Sequence, residues 1–144
     1  MAQGMKTRRR KTDRQKMIKR LDDLFRQIIL RRDKYLCQYA LVSRGDLRVG
    51  GEVHHVFSRR HLNTRWDLVN GITLTRGHGI WRNGPHSDPE LFREFLIAKW
   101  FRSEQKYQHL MARAYTKAHF KTGDLKAVEL FLLSQLPLVD RRED

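Results

Sequence analysis

An adjacent pair of histidines, His54 and His55, opens the part of this chain whose residue types could do chemistry. Asn70 follows His55 by fifteen residues, and His78 follows Asn70 by eight. Neutral imidazole is a good ligand for first-row divalent metals, and an unligated imidazole can accept a proton near neutral pH. An asparagine offers both a donor and an acceptor, so it can tie a loop to a strand. The pattern predicts a metal held by His54 and His78, with His55 as general base and Asn70 holding the geometry.

The charge of the chain indicates what such a site would act on. The 144 residues include 30 Lys and Arg against 16 Asp and Glu, giving a formal net charge of +14, and the pI is near 10.6. A polyanionic partner is therefore expected, nucleic acid first and an anionic membrane surface second. A divalent metal with open positions stabilises the charge that builds on a scissile phosphate. Charge and site together predict phosphodiester chemistry on nucleic acid.

Much of the positive charge lies near the start of the chain. Residues 1–35 contain thirteen Lys or Arg against four Asp. Residues 1–16 have almost no apolar side chains, which predicts a flexible basic arm that contacts phosphates, with a merely solubilising tail as the alternative. The basic side chains expected to contact nucleic acid lie in this arm and around the histidines: Arg8, Arg9, Arg10, Lys11, Arg59, Arg60, Arg65 and Arg76.

Several classes of protein are disfavoured by what the chain lacks. No stretch approaches the roughly 18–20 apolar residues needed to span a bilayer, and the N-terminus has no apolar signal-peptide region. A single cysteine, Cys37, allows no internal disulfide and no four-thiolate zinc site. These features predict a protein of the reducing cytoplasm without a membrane-spanning segment, and with nucleic acid as the favoured polyanion no membrane partner is expected.

Apolar periodicity and turn chemistry predict the elements that position the histidines. Residues 16–33 should form an amphipathic helix, because apolar side chains recur at helical spacing. Residues 47–57 are predicted to form a β-hairpin, with Gly50-Gly51 as its turn or bulge. A loop over residues 58–70 and a short strand at 72–74 should follow. A short helix is then predicted from near Thr75 across His78 to Trp81.

Three further helices are predicted in the C-terminal half. Residues 87–90 form a strong helix start, with a capping side chain, a proline at the first position and an acid in the first turn. A second helix should cover residues 104–119, and a third should begin at Asp124 and end at Pro137. The side chains predicted to be buried recur at helical spacing: Leu91, Phe92, Phe95, Leu96 and Ala98, then Tyr107, Leu110, Met111 and Ala114, then Leu125, Val128, Leu132 and Leu133.

One geometrical condition follows from the histidine pair. Neighbouring residues on a regular strand point to opposite faces. His54 and His55 can therefore serve one site only where the strand ends or twists, and the polar run Ser58-Arg59-Arg60 suggests such an end.

Residues 36–95 resemble the HNH nucleases, which have the ββα-metal fold. The specific likeness lies in three runs: His54 to Arg60 (HHVFSRR), Thr64 to Leu74 (TRWDLVNGITL) and Gly77-His78. The chain looks most like the small stand-alone HNH proteins of phages and mobile elements. The resemblance implies that His54 and His78 are metal ligands, that His55 is the general base and that Asn70 fixes the loop.

The chain departs from the HNH pattern in two places. Many members carry two cysteine pairs that hold a structural zinc. Here Cys37 occupies the first of these positions, but Ala40, Thr75 and Gly77 occupy the positions of the other cysteines. No zinc knuckle is therefore expected. Some members have a further histidine where this chain has Arg82. Three readings stay open: two ligands suffice, His86 completes the site, or the metal is held weakly. Arg82 could instead contact the phosphate.

These observations predict an α+β fold in which a ββα-metal motif is flanked by an N-terminal helix and two to three C-terminal helices. The expected organisation is a basic arm at 1–16, one nuclease domain at 17–139 with its motif at 47–86, and a tail at 140–144. The expected activity is DNA hydrolysis with Mg²⁺ or Mn²⁺, while Ni²⁺ or Zn²⁺ would also suit imidazole ligands. DNA, duplex or branched, is the expected partner, ahead of RNA. The alternatives are a weak or inactive HNH-fold nucleic-acid-binding protein and a ribosomal-type RNA-binding protein.

Overall fold

The structure, a computed structural model, describes residues 4–5, 7–76 and 85–140. Within them the chain has an α+β fold of six helices and a two-stranded antiparallel sheet. In chain order the elements are α1 (Asp13–Arg32), α2 (Gln38–Arg44), β1 (Glu52–His55), α3 (Leu62–Arg65), β2 (Gly71–Leu74), α4 (Pro89–Phe95), α5 (Glu104–Ala114) and α6 (Thr122–Asp140). A 3₁₀ turn (Leu68–Asn70) precedes β2, and a π-helical turn (Leu96–Trp100) follows α4.

Helix α1 begins three residues before the sequence prediction. The Thr12 hydroxyl accepts a hydrogen bond from the Gln15 N–H (3.2 Å), and the Gln15 side chain accepts one from the Thr12 N–H (2.9 Å), which forms a capping box. Arg14 then donates to the carbonyl oxygen of Phe120. Residues 13–16 therefore belong to the helix, and the predicted arm boundary at residue 16 is wrong. The described residues before Asp13 are exposed and form neither helix nor strand.

Two apolar clusters form the core. The first is built by α1, α6 and the loop after β1, and its buried members are Leu21, Phe25, Ile28, Ile29, Trp66, Leu125 and Leu132. The second lies among α2, β2, α4 and α5, and its buried members are Cys37, Ala40, Phe57, Ile72, Leu74, Phe92, Phe95, Leu96, Tyr107, Leu110 and Ala114. The sheet contributes to both clusters, because Val53 packs against the first while Ile72 and Leu74 belong to the second. This position holds β1 between the two halves of the core.

Strand β1 pairs with β2 and not with the residues just before it. Glu52 lies opposite Leu74, and His55 lies opposite Gly71. The predicted hairpin over residues 47–57 is therefore wrong, whereas the predicted short strand at 72–74 is confirmed. Gly50 is not a turn residue here: a Cβ at this position would lie 3.0 Å from the Cys37 nitrogen and 3.1 Å from the Leu74 oxygen. Its lack of a side chain permits a close approach of backbones.

In the C-terminal half, the observed helix starts agree with the sequence prediction better than the observed helix ends do. Asp88 caps α4 by accepting a hydrogen bond from the Leu91 N–H (3.1 Å), as predicted. Helix α5 ends at Ala114 rather than near residue 119. Helix α6 passes through Pro137 to Asp140, because a proline in the last turn removes only one helical hydrogen bond.

Most of the predicted buried positions on these helices are confirmed. The exceptions are side chains that lie on the solvent side of their helix: Leu91, Ala98 and Leu133. The helix predicted from Thr75 to Trp81 falls almost wholly outside the described residues. No helix in the described ranges is both long enough and apolar enough to cross a membrane.

Gly71 provides a test of how closely α1 packs on β2. A Cβ at Gly71 would lie 2.8 Å from the Phe25 ring and 2.9 Å from the Ile29 side chain. Gly71→Ala should therefore destabilise the protein by about 1–3 kcal/mol, the usual cost of overpacking, measured by urea denaturation. Gly51→Ala is the matched control, since a Cβ there would meet nothing within 4 Å. Equal stability of the two variants would contradict this packing.

Candidate functional site

A cleft of about 740 Å³ lies over β1 and contains both histidines of the pair. Helix α1, β1, the loop that follows β1 and the segment at Pro85-His86 form its walls. His55 is the last residue of β1, where it pairs with Gly71. Both histidines line one cleft at this strand end, as the strand geometry required.

His54 lies beside a carboxylate and a second imidazole. Its Nε2 atom is 3.3 Å from Glu52 Oε2, and the centroids of the His54 and His86 rings are 5.5 Å apart. Burial lowers the pKa of His54 from its ordinary value of 6.5, although the hydrogen bond to Glu52 opposes the shift. This shift favours the neutral imidazole, which is the form that ligates metals.

His55 is fixed by a backbone carbonyl and by a ring from α1. Its Nε2 atom is 2.9 Å from the carbonyl oxygen of Arg65, and its ring stacks on Phe25 with centroids 4.9 Å apart and planes 15° apart. A carbonyl only accepts hydrogen bonds, so Nε2 carries the proton and the lone pair of the neutral ring lies on Nδ1. Burial lowers the pKa of His55 as well, against the effect of the Arg65 hydrogen bond. The neutral ring is thus able to accept a proton.

Asp22 of α1 holds the backbone that orients His55. Its carboxylate accepts hydrogen bonds from Arg65 Nε (3.0 Å) and Nη2 (2.7 Å) and from Trp66 Nε1 (2.9 Å). Arg65 also donates through Nη1 to the carbonyl oxygen of Arg59. The Arg65 guanidinium, which was expected to contact nucleic acid, is therefore engaged within the protein and positions the site.

Asn70 is fully buried, and its side chain holds the loop between the two strands by hydrogen bonds. Its Oδ1 accepts from the Phe57 N–H (2.8 Å), and its Nδ2 donates to the carbonyl oxygens of Phe57 (3.0 Å) and Thr64 (2.9 Å). Thr64 directly precedes Arg65, whose carbonyl contacts His55. Asn70 thus holds the loop whose Arg65 carbonyl contacts His55, while its role in a catalytic site stays a prediction.

Only some of the other predicted site residues lie at the cleft. Arg59 is exposed and lines the cleft together with His86. His78 and Arg82 lie outside the described residues. The remaining expected nucleic-acid contacts are all exposed: Arg8, Arg9, Arg10, Lys11, Arg60 and Arg76. Among the residues that the structure describes, no three His, Cys, Asp or Glu side chains are grouped so as to hold a metal ion.

Three residues of the site were not found from the sequence. Glu52 could have been found, because it precedes His54 by two residues and alternate residues of a strand lie on the same face. Phe25 was predicted only as a core residue of the first helix. Asp22 carried no signal, because its partners Arg65 and Trp66 lie more than forty residues along the chain.

Comparisons of the chain with protein-family models, with curated proteins and with solved structures found no match.

Proposed function

We propose that this protein is a metal-dependent endonuclease of the HNH type that hydrolyses phosphodiester bonds in DNA. In this proposal β1 and β2 are the two strands of the ββα-metal motif. The observation that carries it is His55: its Nε2 is tied to the Arg65 carbonyl, its lone pair is on Nδ1, and its ring shares a cleft with His54. A general base needs this combination of fixed tautomer, fixed orientation and access to substrate.

His55 takes a proton from the attacking water in this mechanism. The resulting imidazolium is held by the same Arg65 carbonyl, which accepts a hydrogen bond from Nε2 in either charge state. Phe25 prevents the ring from tilting, because the two planes are nearly parallel. The proton is then released to solvent through the open side of the cleft.

The residues around His54 would supply only part of a site for a divalent cation, because no group of three such ligands lies together among the described residues. A neutral imidazole with a carboxylate and a second imidazole nearby suits Mg²⁺ poorly and Mn²⁺, Ni²⁺ or Zn²⁺ better, although Mg²⁺ is the more abundant in cells. His54 would hold the ion with Glu52 or His86, and the resemblance adds His78. Such an ion supplies positive charge that stabilises the phosphate and its leaving oxygen.

Basic side chains around the cleft support a nucleic-acid substrate. Arg59 lies in the cleft wall, where its guanidinium can contact a phosphate. The basic residues before α1 are exposed, and the whole chain carries a net charge of +14. The resemblance to HNH nucleases supports DNA over RNA as the substrate.

A labelled-oligonucleotide assay tests this function. Duplex DNA, single-stranded DNA, branched DNA and RNA of matched sequence are incubated with the protein over a range of Mn²⁺ concentrations. We expect cleavage of DNA, and we expect His54→Ala to need a metal concentration about tenfold higher or more, since even the loss of a residue that only orients a ligand weakens metal sites about 10–100-fold.

His119→Ala is the matched control for this assay, because His119 is an exposed histidine outside the cleft. It should cleave like the wild type. Tight DNA binding without cleavage at any metal concentration would favour the inactive HNH-fold binding protein. Cleavage of RNA alone would contradict the proposed substrate.

A further inference from the structure

A second cavity lies apart from the histidine cleft. It has a volume of about 650 Å³, and it is formed by the turn after α4, by one face of α5 and by Val69 of the 3₁₀ turn. None of its lining residues lines the cleft of His54 and His55. Val69 is 47% exposed and directly precedes Asn70, so the cavity flanks the same loop that Asn70 holds on its buried side.

Two aromatic residues, Trp100 and Phe101, form the apolar part of this cavity. Both are half-buried rather than packed away in the core. The Arg32 guanidinium packs over the Trp100 ring, 5.7 Å from its centroid. Arg32 is itself fixed by donating to the carbonyl oxygens of Leu68 and Gly71, both at 2.7 Å. The aromatic surface is therefore held in place before any ligand binds.

The backbone around these aromatic residues is unusual. Residues Leu96–Trp100 form a π-helical turn, a feature that occurs often at functional sites. Arg102 has a φ of +54°, in the left-handed region that non-glycine residues rarely adopt. The chain leaves α4 through two uncommon conformations: Trp100 ends the π-helical turn, and Phe101 lies between this turn and Arg102. Strain of this kind persists where the surrounding structure and function require it.

The opposite wall of the cavity is basic. Lys106, His109 and Arg113 follow one another at spacings of three and four residues, so they share one face of α5. All three are exposed, and no acidic side chain is among the described residues that line the cavity. Asp67 pairs with Arg113 from outside this lining. Lys106 is consequently the cation best placed to meet a phosphate.

We propose that this cavity binds unpaired bases of a single-stranded nucleic-acid segment. Trp100 and Phe101 provide the surface on which one or two bases stack, and Lys106 and His109 contact the adjoining phosphates. Single-strand sites elsewhere combine aromatic stacking surfaces with positive charge in the same way. The charge of the wall and of the whole chain favours a polyanion over an apolar peptide. This site does not depend on cleavage at His55, and it would present a strand beside the Asn70 loop.

Binding measured without cleavage tests the proposal. A labelled oligothymidylate is titrated with the full chain in EDTA, and its fluorescence anisotropy is followed, with oligouridylate and a duplex in parallel. Trp100→Leu should weaken binding of the single strand about fivefold to a hundredfold, the range for loss of one stacked base. Lys106→Ala should make the slope of log K against log salt shallower by about 0.7, the value for one phosphate of a single strand.

Lys126→Ala removes an exposed lysine of α6 outside the cavity and serves as the matched control. It should bind the single strand within about twofold of the wild type, and Trp100→Leu should bind the duplex equally well. If Trp100→Leu is unfolded by circular dichroism, Phe101→Leu replaces it. Unchanged single-strand binding by the aromatic variant and by Lys106→Ala would overturn the proposal. So would an equal loss for duplex and single strand, which would indicate charge alone. Tighter binding of oligouridylate than of oligothymidylate would support the site and identify RNA as its source of bases.

Discussion

Replacement of His55 by alanine should slow DNA cleavage about 10²–10⁴-fold, the usual range for the loss of a general base. The substitution removes the only group that the proposed mechanism uses to accept a proton. It should leave folding nearly intact, because His55 is half-buried at a strand end and its backbone pairing with Gly71 is retained. Single-turnover cleavage of a labelled duplex at saturating metal measures the effect.

Two controls separate a catalytic loss from a structural one. DNA affinity in EDTA and the midpoint of thermal unfolding should both stay close to the wild-type values in His55→Ala. His119→Ala, prepared in parallel, should retain the full cleavage rate. A normal rate in His55→Ala would exclude His55 as the base.

Replacement of Asn70 by alanine should have the largest effect on stability. The side chain satisfies the N–H and the carbonyl of Phe57 and the carbonyl of Thr64, all in the buried loop. Each buried group left without a partner costs about 1–3 kcal/mol, so we expect a loss of roughly 2–5 kcal/mol in urea denaturation. Cleavage by the folded fraction should fall as well, since the Arg65 carbonyl would no longer be held against His55.

Asn63→Ala provides the matched control for Asn70→Ala. Asn63 lies in α3, between the same two strands, and donates to the carbonyl oxygens of Arg113 and Thr116, but these hydrogen bonds are exposed and water can replace them. Its loss should cost no more than about 1 kcal/mol. Equal destabilisation by the two substitutions would show that Asn70 does not hold the loop.

Local signals predicted the fold well where the signal and the contact lie close together in sequence. The Asp88-Pro89-Glu90 start of α4 is an example, since the cap and the N–H that it satisfies are three residues apart. The first turn of α1 was missed, although Thr12 and Gln15 form a capping box, because its side chains are all polar and the prediction followed apolar spacing. The hairpin failed for a different reason: β1 pairs with a strand that begins sixteen residues after it ends.

The sequence predicted the main residues of the candidate site, but not the groups that hold them in place. The types and spacing of His54, His55, Asn70 and His78 indicated a metal, a base and a loop clamp. The structure places His54 and His55 at one cleft and ties Asn70 to the loop that follows β1. His78 lies outside the described residues, and the metal site stays a prediction. The carbonyl that orients His55 could not be predicted, because any residue type supplies one. Asp22 could not be predicted either, since an acidic residue on a helix surface is common and only the tertiary fold places it against Arg65.

Conversion of supercoiled plasmid to the open circular form by the wild-type protein tests the central claim most directly. The reaction is run with Mn²⁺ or Mg²⁺, then with excess EDTA, and then with the metal restored. The proposed endonuclease predicts nicking with the metal, none in EDTA and recovery when the metal returns. Nicking at an undiminished rate in excess EDTA, or no nicking with any divalent metal, would contradict it.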